Sequence, residues 1–265
     1  MVVSGYVERE AEVTTAYQKY ITTKTTLHQA ALKPWQPGAA DGAPISRLYN
    51  NERLLNHAAA LRLVSSKTTI PVPKLLGSGT NPDGTAWLET ERTPGGLWLD
   101  TVRDKCRMPA GKQHTTITAD GECDECGAIA RANAARFLAD EVIPQLNMLT
   151  SDTTGLAGVV IPPLWVMHHF PATCWPSRKA EAGAGEEGFV FCHGNLHGHS
   201  IMVHPETLHV LKIADWDDAG FFPREFQVWT VTRGEYEAYY EDMGRLERMM
   251  GLMEGRGGGL EMSRL

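Results

Sequence analysis

The stretch from Phe189 to Trp216 constrains the fold of this chain more than any other. Residues 189–192 (Phe-Val-Phe-Cys) read as a short buried strand, and residues 193–199 as a polar loop containing three histidines. Residues 200–203 read as a strand, His204-Pro205-Glu206-Thr207 as a turn, and residues 208–214 as the returning strand, ending at Asp215. A loop tied to such a hairpin carries polar side chains distant in sequence towards one point. It needs a substantial core around it. With 265 residues, 42% of them hydrophobic, the chain can build one large domain or two small lobes around a shared cleft.

The rest of the chain reads as an α+β arrangement. Residues 1–49 form a polar, Thr-rich lobe of short strands, one of them at residues 30–33, with a Gly/Pro loop over residues 37–44. A helix follows, capped by Asn50 or Asn51, with Leu54, Ala58 and Leu61 at helical spacing, and Ile70-Pro71-Val72-Pro73 ends it. Residues 85–91 read as a strand after the turn Asn81-Pro82-Asp83-Gly84, and Pro94-Gly95-Gly96 marks a lobe boundary. The expected division is 1–93 for a small lobe, 94–250 for a large one and 251–265 for a frayed, Gly-rich tail.

Within the large lobe, residues 109–127 read as a surface loop and residues 128–143 as a helix with Ala134, Phe137, Leu138 and Val142 on one face. Residues 176–188 read as another loop. A final helix carries Tyr236, Tyr239, Tyr240, Met243, Leu246 and Met250, a stripe that reads as core.

A net charge of -7 without a Lys/Arg cluster argues against nucleic acid as a partner. The first residues reach Glu8, Arg9 and Glu10 before any apolar run develops, and no stretch approaches the ~20 apolar residues that span a bilayer. A cytoplasmic protein with no membrane partner is expected. Five irregularly spaced cysteines suit reduced thiols. Cys123 and Cys126 form a Cys-x-x-Cys pair with Cys106 upstream, which raises zinc; lacking a matching second pair, they are read as incidental cysteines of the surface loop.

The run from Cys192 through His193-Gly194-Asn195, Ser200 and the hairpin to Asp215-Trp216 resembles the catalytic core of aminoglycoside phosphotransferases and choline-kinase-like proteins. That family's pattern is His-Gly-Asp, four residues, Asn, a short hairpin, then Asp-Trp. The spacing agrees position for position. The wording of residues 160–166 and of residues 215–223 resembles a fungal branch, while residues 69–74 and 91–95 resemble its small-lobe helix exit and interlobe hinge. The resemblance implies a protein-kinase-like two-lobed fold, with a small β-containing lobe and a mainly helical large lobe.

Phosphoryl transfer needs a carboxylate to orient the attacking hydroxyl, and a carboxylate with an amide oxygen to hold magnesium on the nucleotide. The resemblance implies that Asn195 replaces the catalytic Asp, that Ser200 replaces the magnesium-binding Asn, and that Asp215 is retained as the magnesium carboxylate. An amide accepts no proton near neutral pH. It further implies a scaffolding or catalytic place for His193, a nearby role for Asp217, and Lys33 as the phosphate-pairing lysine. His57 stands where the family has a helix Glu, and no glycine between Gly5 and Gly38 supplies a Gly-rich phosphate loop. Asn195 also reads as a local backbone cap, and Asp217 with Asp218 as a solvated acidic turn.

Three functions follow. The leading one is a reused enzyme that takes a small organic molecule through cyclisation, isomerisation or elimination, plausible in secondary metabolism, with Asp215, Asn195 and neighbouring histidines as polar groups and no cofactor required. The second is a weak phosphotransferase using ATP and magnesium. The third is a pseudokinase-type binding protein. Substrate and oligomeric state are not legible.

Overall fold

The computed structural model describes residues 9–15, 17–33, 49–114, 121–163, 175–180 and 188–253. The first three strands, β1 (Arg9–Thr14), β2 (Gln18–Thr23) and β3 (Thr26–Ala31), form an antiparallel meander. Helix α1 (Asn50–Lys67) follows, then β4 (Leu75–Thr80) and β5 (Ala86–Glu91), giving a sheet in the order β1-β2-β3-β5-β4. The strand expected at residues 30–33 instead ends at Ala31. It begins at Thr26 because Thr23 closes the preceding turn, its hydroxyl accepting from the Thr26 N–H at 2.9 Å. The loop expected at residues 37–44 lies outside the described residues.

Helix α1 faces two ways. Leu54 and Ala58 pack with Ala31, Ala86 and Leu88 of the sheet, while Leu61 and Val64 belong to the core of the large lobe. Thr68 terminates it, both its N–H and its hydroxyl bonding Val64 O, at 3.0 and 2.7 Å. Pro71 and Pro73 then hold the chain extended, as the sequence indicates.

The chain continues through β6 (Leu97–Trp98) and a 3-10 turn at Leu99–Asp104 to α2 (Asp124–Phe137). A wider turn at Leu138–Val142 leads into α3 (Ile143–Met148), ahead of Pro144, which has no N–H to donate. Helix α2 starts four residues before the expected residue 128, with Asp124 and Glu125 in its first turn, where the helix dipole favours acids. Ala134, Leu138 and Val142 are buried as the spacing predicts; Phe137 is only half-buried.

Strand β7 (Thr150–Ser151) pairs with β8 (Phe189–Cys192), which pairs with β11 (Gly220–Phe222). Strands β9 (Ile201–Val203) and β10 (Val210–Ile213) form the predicted hairpin, and β6 joins its other edge through Leu97↔Val203 and Trp98↔Met202. The last helix is two helices, α4 (Arg233–Tyr240) and α5 (Met243–Met253), separated because Asp242 caps the second, its carboxylate accepting from the Arg245 N–H at 3.0 Å. Tyr240, Leu246, Met249 and Met250 pack with Trp175, Phe222 and Phe226; of the expected stripe, Tyr236 and Tyr239 are only partly buried and Met243 is exposed, because α5 begins there with its first turn turned to solvent. Helix α5 runs past Gly251 to Met253. Among the described residues no helix is long and apolar enough to cross a membrane.

Candidate active site in the interlobe cleft

The hairpin and the preceding loop are bolted together by backbone bonds. Ala214 N donates to Ser200 O at 2.8 Å, closing the hairpin base. The His193 imidazole donates from Nε2 to Ala214 O at 2.8 Å, while its Nδ1 accepts from the Asn195 N–H at 3.3 Å. Its ring lies 4.5 Å from Trp216, which is stacked against Phe191. His193 is fully buried, which pushes its pKa down to about 4 and keeps the ring neutral. With both nitrogens committed to backbone, it is a fixture of the loop.

Ser200 is likewise spent. It is 1% exposed; its hydroxyl accepts from the His197 N–H at 3.1 Å and lies 2.9 Å from His197 O. A hydroxyl closing a turn from the inside is badly placed as a metal ligand. The Asn195 amide oxygen is buried without a hydrogen-bond donor among the described residues.

Between the lobes lies a cleft of about 680 Å³. Leu27, Gln29, Trp98 and Met202 give it apolar and neutral patches, Glu91 and Arg92 line it as well, and the large-lobe side presents Asp100, His199, Lys212 and Asp215. Asp215, exposed and in the left-handed region at φ 59°, is the one member of the six-residue set Asp215, Asn195, His193, Lys33, Ser200 and Asp217 that lines it. A left-handed non-glycine residue is uncommon and turns the side chain out of the strand direction. Asp100 and His199, neither part of that set, meet in the cleft lining, the imidazole Nδ1 against the carboxylate. Gly198 makes this approach feasible: a Cβ there would overlap the Asp100 carboxylate. Their separation in sequence hides the pair; only the glycine before His199 hints at a close approach.

His57, at the position where the resemblance implies a glutamate, also lines the cleft. It is 4% exposed, its Nε2 has no hydrogen-bond partner among the described residues, and burial pushes its pKa down to about 4 against the opposing pull of Asp217. Lys33 is elsewhere. It is exposed, 3.4 Å from Asp83, and absent from the cleft lining, because β3 ends at Ala31 and its cleft-facing residues are Leu27 and Gln29. The β1–β2 turn is closed from inside by Thr15, whose hydroxyl accepts from the N–H groups of Tyr17 at 3.3 Å and Gln18 at 3.0 Å.

Asp217 and Asp218 are not a solvated turn. Asp218 is fully buried and ion-paired with the equally buried Arg53 of α1, whose Nη2 also donates to Pro162 O at 2.6 Å. Asn56, one turn from Arg53's side of the helix, donates to Asp217 O at 3.1 Å and Ala219 O at 2.7 Å. The small-lobe helix is thus riveted to the segment that carries Asp215.

This arrangement of a five-stranded sheet with one helix, a hinge, and a loop-and-hairpin site is the protein-kinase-like fold. Among solved structures it is that of the aminoglycoside phosphotransferases: the GDP and kanamycin complex of APH(2")-IIIa matches with a TM-score of 0.50 at 12% identity, covering 96% of this chain and 80% of that one. A thermostable mutant of aminoglycoside phosphotransferase APH(4)-Ia matches at 0.46 and 10% identity, over 96% and 79%. The kinase WbdD matches at 0.46 and 13% identity, over 95% of this chain and 48% of that one. No protein-family profile and no curated protein sequence matches.

Proposed function

We propose that this chain belongs to the aminoglycoside-phosphotransferase-like superfamily, has lost ordinary phosphotransfer, and uses the interlobe cleft for proton-transfer chemistry on a small organic molecule. The observation that carries this reading is the distribution of polar groups in the cleft. Asp215 and the Asp100–His199 pair stand together on the large-lobe side, while the parts that would hold nucleotide phosphates are engaged elsewhere.

ATP with magnesium fits the site poorly. Lys33 lies outside the cleft, the Tyr17 and Gln18 amides of the β1–β2 turn are taken by Thr15, the Ser200 hydroxyl is consumed in its own loop, and His57 is neutral. Phosphate cradles need free backbone N–H groups as well as a cation, so the Arg92 and Lys212 that line the cleft do not by themselves make one. The cleft volume suits a small metabolite, with apolar patches at Leu27, Trp98 and Met202 for binding and charged groups of both signs for orientation. A carboxylate and a carboxylate-bound imidazole can divide the roles of base and acid in an isomerisation, elimination or cyclisation. No cofactor is needed for such a step.

The GDP and kanamycin held by a protein of the same fold favour a second reading, an ATP-dependent phosphotransferase with Asp215 holding magnesium. Incubation with metabolite extracts, followed by mass spectrometry with and without ATP and magnesium, separates the two. Turnover independent of ATP supports the first reading. Strictly ATP-dependent appearance of a phosphorylated product refutes it, and a protein partner recovered with no turnover under either condition points to a binding role.

A further inference from the structure

Away from the cleft, four side chains from three stretches of chain converge at the N-terminus of α2: Cys106, His114, Cys123 and Cys126. We propose that they bind one zinc ion as a closed, tetrahedral, structural Cys3His site.

The geometry carries this. The four ligand atoms all lie within 4.8 Å of one another. His114 Nδ1 is 3.2 Å from Cys123 Sγ, 3.5 Å from Cys126 Sγ and 3.8 Å from Cys106 Sγ. Zinc bonds of about 2.3 Å to sulfur and 2.0 Å to nitrogen place tetrahedral sulfur and nitrogen ligands about 3.5 Å apart. The observed separations bracket that edge. One ring nitrogen therefore faces three sulfurs at once, which a chain of thiol hydrogen bonds does not require.

The surroundings support the same reading. His114 Nε2 lies 3.3 Å from a carboxylate oxygen of Glu125, the arrangement that fixes the tautomer of a ligating histidine and aims its other nitrogen at the metal. The Arg107 N–H donates to Cys126 Sγ at 3.2 Å, a bond that offsets thiolate charge. Cys123 and Cys126 are fully buried, and Cys106, Cys123 and Cys126 are all free thiols. The burial overturns the expectation of incidental surface cysteines. Cys-x-x-Cys supplies one half of the site, and Cys106 with His114, seven residues between them, supplies the other.

Four protein ligands leave no open position, so the ion is structural. It pins the segment after the Leu99–Asp104 turn onto the start of α2, where the Cys123 N–H also bonds Arg103 O at 2.7 Å.

The test is metal analysis of the full chain purified under reducing conditions from zinc-supplemented culture, followed by cobalt titration of metal-stripped protein. About one zinc per chain is expected, and cobalt should give the intense visible bands and near-ultraviolet thiolate charge transfer of tetrahedral sulfur ligation. Cys106→Ser, at a half-buried position, should lose most of the zinc and weaken the charge-transfer band while the far-ultraviolet circular dichroism remains. A metal-free wild type that gives no thiolate charge transfer with cobalt overturns the proposal. So does a Cys123–Cys126 disulfide in the purified protein, or iron with acid-labile sulfide in place of zinc.

Discussion

Arg53 of helix α1 and Asp218, three residues beyond Asp215, form an ion pair with no solvent exposure on either side chain. It couples the small lobe to the candidate site directly, with Asn56 adding two bonds to the same turn. The helix that in this fold borders the cleft is thereby held in one position relative to Asp215.

Breaking the pair from one side should be expensive. Arg53→Met or Asp218→Asn leaves an uncompensated buried group and should lower unfolding free energy by about 3–5 kcal/mol. The double variant Arg53→Met with Asp218→Leu should lose much less. Urea denaturation of the three variants reads this, and single variants within 1 kcal/mol of wild type, by the scale of exposed pairs, would contradict it.

Stability should fall on mild acidification. His57 and His193 are buried and neutral with pKa values held down to about 4 by desolvation, below the unfolded value of 6.5. As pH falls below 6.5 the unfolded chain takes up protons that the folded one refuses, so stability is lost down to about pH 4. Each residue contributes a slope of up to about 1.4 kcal/mol per pH unit. Urea midpoints between pH 7.5 and 5 should show the slope, and His57→Gln should reduce it. A flat profile would mean that neither ring is desolvated as described.

Removal of the Asp215 carboxylate should be the most damaging single change to activity. Asp215→Ala is expected to lower turnover of the native substrate by about 10²- to 10⁴-fold, the worth of a positioned acid or base. Full activity in this variant would place the chemistry elsewhere in the large lobe.

Restoring kinase-like residues should not restore a kinase. Ser200→Asn puts a larger side chain where the hydroxyl closes the His197 turn at a buried site, and overpacking of this kind costs about 1–3 kcal/mol. Asn195→Asp with Ser200→Asn should therefore be less stable and gain no ATP-dependent turnover. Calorimetry with ATP and magnesium should show no low-micromolar binding to wild type. A gain of ATP-dependent turnover would establish the phosphotransferase reading, and low-micromolar binding would contradict the loss of the phosphate site.

Gly198→Ala should disrupt the rim of the cleft specifically. The added methyl overlaps the Asp100 carboxylate, so the pair with His199 must part. Turnover should drop, whereas Gly84→Ala, at a turn with open space around it, should affect stability alone.

Much of the framework was legible in the residues. The alternation and turn chemistry of residues 189–216 indicated β8, β9 and β10, and the spacing of Leu54, Ala58 and Leu61 indicated α1. Boundaries were less legible where a single side chain decides them: Asp242 splits the last helix in two, and Asp124 starts α2 before its apolar stripe develops.

Local pattern determines which side of an element is apolar, and that suffices for strand order in a hairpin and for which helices are buried. It does not determine what a polar group meets. Ser200 reads as a metal-ligand position in sequence and is a turn lock in the fold; Asp218 reads as solvated and is buried against Arg53; Cys106, Cys123 and Cys126 read as incidental loop cysteines and converge, with His114, which the sequence did not single out, on one point. In each case the energy of the polar group depends on desolvation and on partners from distant segments. The sequence by itself set the elements and their apolar faces, and the tertiary structure alone decided which polar side chains face the cleft, which are spent holding it, and which gather into a second site.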